Sequence, residues 1–380
     1  MLWLAIKTLL HEKVRFLITL VGITVAGVLA LLEIAIYLGM MANATAVIRH
    51  TDGDLWIASK NIQTFDFALP FPAERINHVR AFSDVLWAEK LLLFWGFIKL
   101  PNGGRDQVQI IGFNPDTGIG APWAMAEGRP IDVKGGNYMI IDRTSEQRLG
   151  RLETGTLSEL TVMNKERSFK LVGLSQGIKS FTTAPLIFTS YNRLSAFFAE
   201  AGWGDQTSFI IAKLKNPEAL GPVTEALRAR LKDNDVFTKD QFIRKTVMYW
   251  TVQTGMGMAF FLTAALAMII GGTIVGQTIY ASTLEHLREF GTLKAVGAKN
   301  HEIYQVVLAQ ASINAVAGYL MAAIVVVLLK GGVEKAGVPL LLSPMLFVAL
   351  FWVILAACLA SAWFSVSKIR SLDPVTVFKA

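Results

Sequence analysis

The run "FLITLVGITVAGVLALLEIAIYLGMM", residues 16–41, decides the class of this protein. It has 26 residues and one charged side chain, Glu33. A helix needs roughly 20 apolar residues to cross a hydrocarbon core of about 30 Å. The apolar part of a cleaved signal peptide is shorter, about 7–15 residues. The sequence "ANA" that follows the run resembles a cleavage site, but the length predicts an uncleaved membrane span.

Further apolar runs of similar length follow, and together the four predicted spans are 16–41, 256–281, 306–329 and 345–366. The composition agrees, because 17% of the residues are charged, against about 25% in soluble domains. The single cysteine, Cys358, excludes an intramolecular disulfide. We predict a membrane α-helical protein with four transmembrane helices and a large α+β extracytoplasmic domain, 42–250, inserted between spans one and two.

The distribution of Lys and Arg predicts the orientation of the spans. The segments 1–15, 282–305 and 367–380 together carry nine basic residues, whereas the loop 330–344 carries two. Short cytoplasmic loops are enriched in basic residues. Both termini and 282–305 are therefore expected in the cytoplasm, with the protein in the plasma membrane. The net charge of +7 is then explained by this cytoplasmic side and by anionic membrane lipids, not by nucleic acid.

Segment 42–250 alternates strand-like runs with two helix candidates, 190–202 and 216–232. The strand candidates, rich in β-branched and aromatic residues, are 54–59, 94–100, 108–113, 138–142, 158–163, 168–174, 184–190 and 208–214. Asn102-Gly103-Gly104 predicts a hairpin. Thr238 and Gln241 have capping-box spacing, which predicts a helix that runs directly into span two.

Eight aromatic residues are concentrated in the first half of this domain, and we expect most of them in the core. They are Trp56, Phe65, Phe67, Phe71, Trp87, Phe94, Trp95 and Trp123. Those in the proline-containing loop 60–76 have alternatives: the membrane surface, a lipid substrate or a partner protein.

Several kinds of chemistry have no sequence support. The dipeptide Gly-Lys does not occur in these 380 residues, so the usual phosphate-binding loop of an ATPase is missing from them. There is no H-E-x-x-H and no pair of cysteines for zinc, and the five histidines are scattered. We expect a non-catalytic chain that binds no metal or cofactor.

The charged stretch "TLEHLREFGTLKAVGAKNHEI", residues 283–303, separates spans two and three. Leu284, Leu287, Phe290 and Leu293 recur every three residues, which predicts a helix leaving the bilayer with an apolar stripe. Gly297 suits the left-handed position that ends a helix, and Asn300 can cap the next one. A plain polar hairpin is the alternative reading of this pattern.

This stretch resembles the signature of the FtsX/MacB-like ABC transporter permeases, roughly R-x-x-E-[IFY]-[GA]-x-[LIM]-[KR]-A-[LVM]-G-A. Here it reads Arg288-Glu289-Phe290-Gly291-Thr292-Leu293-Lys294-Ala295-Val296-Gly297-Ala298, with the arginine directly before the glutamate. The C-terminal "KIRSLDPVTVFKA" is similar to the end of the family. The run 238–297 is similar to the DevC-type exporter permeases, which often have Gly-Tyr where this chain has Gly297-Ala298.

The resemblance implies that the permease forms a homodimer and engages a separate ABC ATPase subunit, which binds the ATP and Mg²⁺. The implied ATPase-coupling residues are Glu289, Gly291, Leu293, Lys294, Ala295 and Gly297. The implied function is export of an amphipathic substrate by mechanotransmission, with a periplasmic adaptor (a membrane fusion protein) and an outer-membrane tunnel if the protein is DevC-like. The alternative is an FtsX-like transducer that activates an extracytoplasmic enzyme without transport.

Two features of the spans are further candidates. Gly272 and Gly276 form G-x-x-x-G in span two, which allows close helix approach, either within one subunit or between two copies. Glu33 lies in span one near its outer end. An acid there is costly and often functional, although its side chain can also reach the outer interface.

Overall fold

The computed structural model describes residues 2–182, 184–286, 289, 291–292 and 299–369. The described α-helices are α1 (Leu2–His11), α2 (Lys13–His50), α3 (Ile76–Arg80), α4 (Glu146–Leu149), α5 (Tyr191–Glu200), α6 (Leu220–Arg230), α7 (Lys239–Met248), α8 (Met256–Glu285), α9 (Asn300–Lys335) and α10 (Pro344–Ile369). The chain divides into two compact units, one of residues 1–39 with 256–380 and one of residues 40–255.

The first unit is a bundle built from α2, α8, α9 and α10. These four helices are long and apolar enough to cross a membrane, and each contains one of the predicted spans. Glycines bring the helices close together: a Cβ on Gly271 would lie 2.6 Å from Ala26 Cβ, and one on Gly27 would lie 2.8 Å from Ala322 Cβ. The hydrophobic effect does not drive helices together in lipid. Their packing depends on close van der Waals contact, which small residues allow.

Contacts at the two ends of the bundle agree with the prediction that successive spans run in opposite directions. At one end, Arg15 of α2 forms an ion pair with Glu285, the last residue of α8. At the other end, Leu341 donates its backbone N–H to Ala35 at 3.0 Å. The start of α2 and the end of α8 therefore share one end of the bundle, and the loop between α9 and α10 lies at the opposite end.

The second unit is built around a mixed sheet. Its strands are β1 (Leu55–Ser59), β2 (Phe71–Pro72), β3 (Val85–Lys99), β4 (Arg105–Phe113), β5 (Met125–Glu127), β6 (Tyr138–Asp142), β7 (Leu157–Val162), β8 (Lys165–Ser175), β9 (Leu186–Ser190), β10 (Gln206–Thr207), β11 (Phe209–Leu214) and β12 (Asn234–Thr238). The main order is β12-β1-β11-β3-β4-β9-β6-β8-β5, with β7 beside β3 and β8, while β10 and β2 form a separate pair.

The long strand β3 organises this sheet. Its first half pairs with β11, as in Leu91 opposite Phe209, and its second half pairs with β4, as in Trp95 opposite Gln109. Most neighbouring strands are antiparallel, but β4 is parallel to β9 and β6 is parallel to β8. Fully buried aromatic rings, including Trp56, Phe188 and Phe242, fill the core on one side.

The predicted strand and hairpin positions are confirmed. The turn at Asn102-Gly103-Gly104 closes β3 onto β4, with Leu100 donating its N–H to Gly104 at 2.8 Å. Thr238 caps α7 as predicted, because its hydroxyl accepts from the N–H of Gln241 at 3.2 Å. Strand β12 was not predicted, since "NDVFT" lacks an apolar run.

The prediction that α7 runs directly into span two is wrong. Helix α7 passes into a π-helical turn, Tyr249–Gln253, and the chain bends before α8 begins at Met256. Gly255 has φ +72 in this bend. Glycine adopts this left-handed conformation without steric cost, so the sequence ends one helix here and starts another.

Candidate functional site

Five charged or titratable side chains meet at one end of the helical bundle, and we call them the ion cluster: Glu12, Arg15, Glu285, His286 and Glu289. Arg15 Nη1 donates to Glu285 Oε2 at 2.6 Å, and Arg15 Nη2 contacts the other carboxylate oxygen. Arg15 also lies 3.4 Å from Glu12 Oε1. The planar guanidinium is suited to such a two-pronged contact.

His286 connects the two halves of the ion cluster. Its Nε2 lies 2.8 Å from Glu12 Oε1, and its Nδ1 lies 2.9 Å from Glu289 Oε2. Each ring nitrogen therefore faces a carboxylate oxygen, and an imidazolium would donate to both. His286 and Glu12 are each 17% exposed, whereas Glu289 is 73% exposed. The cluster is thus partly sheltered at Glu12 and open to solvent at Glu289.

Local sequence explains why these side chains meet. Glu12 lies at the corner between α1 and α2, and Arg15 is one turn further along α2. Helix α8 ends at Glu285, and His286 lies in a turn before the helical residues Glu289, Gly291 and Thr292. The single helix expected through this stretch is therefore interrupted.

The start of α9 closes this segment. Asn300 is its first helical residue, not its cap. Glu302 provides the capping instead, because its carboxylate accepts from the N–H of Lys299 at 2.8 Å. An acid in the first turn of a helix also interacts favourably with the helix dipole.

A small polar cavity adjoins the ion cluster inside the bundle. It measures about 20 Å³, and its lining includes Glu12, Arg15, Thr19, Gln310 and Asn314. Gln310 and Asn314 are buried in an apolar helix. Asn314 Oδ1 has no hydrogen-bond partner among the described residues. Polar side chains thus continue from the charged end into the bundle.

Of the predicted coupling residues, the structure describes Glu289 and Gly291. Glu289 is exposed, and Gly291 is half-buried. Leu293, Lys294, Ala295 and Gly297 lie outside the described residues. Sequence reasoning missed Glu12, Arg15, Glu285 and His286 as partners of the motif. Their one sequence signal was charge at the ends of apolar runs, which does not indicate which charges meet.

The G-x-x-x-G pair packs within one chain. A Cβ on Gly272 would lie 3.1 Å from Ser361 Oγ, and one on Gly276 would lie 3.5 Å from Ser361 Cβ. Ser365 Oγ donates to the carbonyl of Gly276 at 2.8 Å. This surface therefore contacts α10 of the same chain, and the alternative contact between two copies stays a prediction.

Glu33 is half-buried in α2. It forms no hydrogen bond or ion pair with any residue that the structure describes. It lies 18 residues after Arg15, which corresponds to about 27 Å along a helix. The acid is therefore distant from the ion cluster, toward the other end of the bundle.

Two other kinds of chemical site, a serine nucleophile and a metal centre, have no support among the described residues. Gly173-Leu174-Ser175-Gln176-Gly177 fits the G-x-S-x-G hydrolase pattern. However, Ser175 is fully buried and donates its hydroxyl to Asp142 Oδ2 at 2.8 Å, whereas a nucleophilic serine is exposed on a strand-to-helix turn. Within the described ranges, no three His, Cys, Asp or Glu side chains are grouped to hold a metal ion.

Comparison with family models identifies both units. Residues 16–230 match the model of the MacB-like periplasmic core domain, and residues 261–374 match that of the FtsX-like permease C-terminal region. The first match covers more than half of the chain. The second includes the signature around Glu289 and the ion-cluster residues Glu285 and His286.

Curated relatives agree with this assignment. The chain is 21% identical over 340 residues to the macrolide export ATP-binding/permease protein MacB of Photorhabdus laumondii, covering 83% of this chain and 50% of that protein. It is 23% identical over 179 residues to an uncharacterized ABC transporter permease of Methanocaldococcus jannaschii, covering 45% of this chain and 43% of that protein. The chain therefore spans half or less of the length of these relatives.

The periplasmic region of MacB from Actinobacillus actinomycetemcomitans is a similar solved structure. It matches with a TM-score of 0.39 and 14% identity, over 53% of this chain and 95% of that one. The family matches over both units, together with four helices able to span a membrane, show that this chain is a multi-pass membrane protein that belongs to the ABC transporter permeases of the MacB/FtsX type.

Proposed function

We propose that this chain is a permease subunit that couples ATP hydrolysis by a separate ABC ATPase to movement of its extracytoplasmic domain. The observation that carries the proposal is the ion cluster. It joins Glu289 of the coupling signature to the α1–α2 corner at Glu12 and Arg15, and to the last residue of α8. A partner that displaces the signature would thereby act on two spans at once.

Helix α2 offers a rigid connection for such a displacement. It runs unbroken from Lys13 to His50, and the 35 residues from Arg15 to His50 correspond to about 53 Å. A continuous helix transmits a tilt at one end to its other end. In this mechanism the ATPase moves the extracytoplasmic domain through the spans, without a channel through the bilayer.

The energy source is proposed to lie on another polypeptide or domain. The 380 residues contain no phosphate-binding loop, so ATP and Mg²⁺ would be held by the ATPase. The relative from Photorhabdus laumondii carries both functions in its name. We further propose a homodimer in the inner membrane of a bacterium with both termini in the cytoplasm. An amphipathic substrate, a periplasmic adaptor and an outer-membrane tunnel follow from the DevC-like resemblance.

The proposal is tested by ATP turnover of the permease reconstituted with its ATPase. Glu289→Lys should lower the permease-stimulated turnover strongly, because it reverses the exposed charge next to His286. Glu334→Lys is the matched control, because Glu334 is an exposed glutamate near the end of α9, remote from the signature, that faces Lys330 at 3.9 Å. Equal effects of the two substitutions would contradict a coupling role for Glu289.

A second function, switching an extracytoplasmic enzyme without transport, is favoured by one observation. Residues 261–374 match the model of the FtsX-like permease C-terminal region, as those of a transducer would. Both functions require the ion cluster, so they differ only in what the 42–250 domain moves. Stimulated ATP turnover with no substrate movement in reconstituted vesicles would support the transducer.

A further inference from the structure

An exposed apolar surface lies on the 40–255 unit, immediately before the chain enters α8. We call it the apolar patch, and it consists of Phe67, Leu69, Met248 and Val252. These side chains are 47%, 64%, 57% and 50% exposed. Surface hydrophobic residues that occur singly need no explanation, but a group of large ones indicates an interaction site.

The apolar patch is held by a rigid aromatic base. The ring of Phe67 lies 6.4 Å from Tyr249 and 5.8 Å from Trp250, measured between ring centroids. Trp250 in turn stacks on Phe181 at 3.6 Å. These contacts join the loop that carries Phe67 and Leu69 to the π-helical turn. The ring of Phe67 is therefore held against the π-helical turn that precedes α8.

Chain connectivity places the apolar patch close to the bilayer. Val252 precedes Met256, the first residue of α8, by four residues, and Met248 precedes it by eight. An extended chain spans at most about 3.6 Å per residue. Val252 is therefore within about 14 Å of the start of a membrane-spanning helix, and Met248 is within about 29 Å.

A basic side chain completes the pattern of an interfacial surface. Arg244 lies four residues before Met248 in α7, so both project from the same face of the helix. Arg244 is exposed and has no carboxylate within 4.0 Å among the described residues. A long basic side chain beside apolar ones allows the stem to cover hydrocarbon while the charge reaches lipid phosphate.

We infer that the apolar patch inserts into the lipid headgroup and acyl boundary of the membrane that α8 enters, with Arg244 directed at the lipid phosphates. A lipid surface fits better than a second protein for two reasons. The π-helical turn that carries Val252 is joined by a few residues of chain to α8, a helix long and apolar enough to span a membrane. It also combines aromatic, aliphatic and basic residues in the way that amphipathic segments at membrane interfaces do. The inference does not depend on the proposed coupling to an ATPase.

The test measures the depth of a spin label in the membrane. The single native cysteine is replaced by Cys358→Ala, and a cysteine is introduced by Leu69→Cys or, as the control, by Leu86→Cys. Leu86 is also a leucine and is 59% exposed. Trp95 marks the position of the patch on β3, because its indole donates to the carbonyl of Asp66, the residue before Phe67. Leu86 lies nine residues before Trp95 on the same strand, which is about 30 Å along it. The control position is therefore distant from the patch.

Each labelled full-length protein is reconstituted in nanodiscs of phosphatidylethanolamine and phosphatidylglycerol. Collision rates with oxygen, which concentrates in lipid, and with a water-soluble nickel chelate are compared by electron paramagnetic resonance. The ratio of oxygen to nickel rates is expected to be several-fold higher at position 69 than at position 86. Equal, water-like ratios would overturn the inference. A label at 69 that is shielded from both reagents would also overturn it, in favour of a protein partner or a second copy of this chain.

Discussion

Arg15 and Glu285, 270 residues apart in the sequence, form a two-pronged ion pair in which Arg15 Nη1 lies 2.6 Å from Glu285 Oε2. The pair joins the start of α2 to the last residue of α8. The family signature begins only three residues later, at Arg288. The start of α2 therefore contacts the end of α8 next to the family signature, although no part of the signature lies in the N-terminal segment.

Reversing the charge of either residue in this ion pair should disrupt coupling. Exchanging the two residues for each other should restore part of it. We expect Arg15→Glu and Glu285→Arg each to lower permease-stimulated ATP turnover, because each places two like charges in contact. The double variant should recover part of the activity, since the exchanged pair can form again while a glutamate at position 15 still faces Glu12. The measurement is a double-mutant cycle on ATP turnover.

The exchange of Lys330 and Glu334 is the control for this cycle, because that pair lies at the other end of the bundle. Its single and double variants should leave turnover near that of the unmodified protein. If the Arg15 and Glu285 variants were strictly additive, with no recovery in the double variant, the two side chains would not act as a pair.

The coupling signature itself can be tested at two residues that the resemblance identifies. Gly297→Val and Leu293→Asp should abolish stimulation of the ATPase, because the first adds bulk where the sequence predicts a helix end and the second places a charge in the predicted apolar stripe. Membrane insertion and expression should persist. Unchanged stimulation in both variants would remove these residues from the coupling assignment.

Two glycines in membrane helices should respond to alanine with opposite signs. A Cβ on Gly271 would meet Ala26 Cβ at 2.6 Å, whereas one on Gly331 meets nothing within 4 Å. Gly271→Ala should destabilise the protein by about 1–3 kcal/mol through overpacking. Gly331→Ala should stabilise it by up to about 1 kcal/mol through helix propensity. Thermal unfolding of the detergent-solubilised protein measures both, and shifts of the same sign would contradict the close approach at Gly271.

Asp66 should make the stability of the protein depend on pH. Burial raises the pKa of its carboxyl from 3.8 to about 6, although a hydrogen bond from Gln109 opposes this shift. Between pH 4 and 6 the folded state thus binds more protons than the unfolded state, so the free energy of unfolding contributed by Asp66 falls as the pH rises. A shift of two units corresponds to roughly 3 kcal/mol.

Asp66→Asn removes this titration and supplies the measurement. The stability of the variant relative to the unmodified protein should increase from pH 4 to pH 6 and stay constant above that. Unfolding temperatures of the full-length proteins across this range give the difference. A difference independent of pH would mean that the buried carboxyl does not titrate in this window.

Glu33 offers a test inside the membrane. It is half-buried in α2 and has no partner among the described residues. If the acid acts in transport, Glu33→Gln should lower transport while insertion is unchanged, because glutamine keeps the size and removes the charge. Normal transport by this variant would leave Glu33 as an acid whose side chain reaches the interface.

Several elements could be predicted because their signals are local. A span is recognised from a long apolar run, and the turn between β3 and β4 is recognised from Asn102-Gly103-Gly104. Thr238 and Gln241 form their capping box within four residues. The bend at Gly255 was missed because it depends on the left-handed conformation of that residue. The strand β12 was missed because it is stabilised by pairing with β1.

The charged site was predictable only in part. The signature marks Glu289, and its contact with His286 is a local one between residues three apart. The contact of His286 with Glu12 depends on how α1, α2 and α8 pack. Likewise, the exposure of Phe67 depends on its packing against Tyr249 and Trp250, and composition alone favoured the core for most aromatic residues of that region.

The amino-acid sequence by itself determined the four apolar helices, the strand-rich domain between the first two, and the signature that marks the family. These features arise from the hydrophobicity and periodicity of neighbouring residues, which act before distant segments meet. Only the tertiary structure decided that Arg15 pairs with Glu285, that Gly272 and Gly276 pack against α10, and that β4 is parallel to β9. Such contacts depend on shape and charge complementarity between segments that are remote in the chain, and no local pattern contains that information.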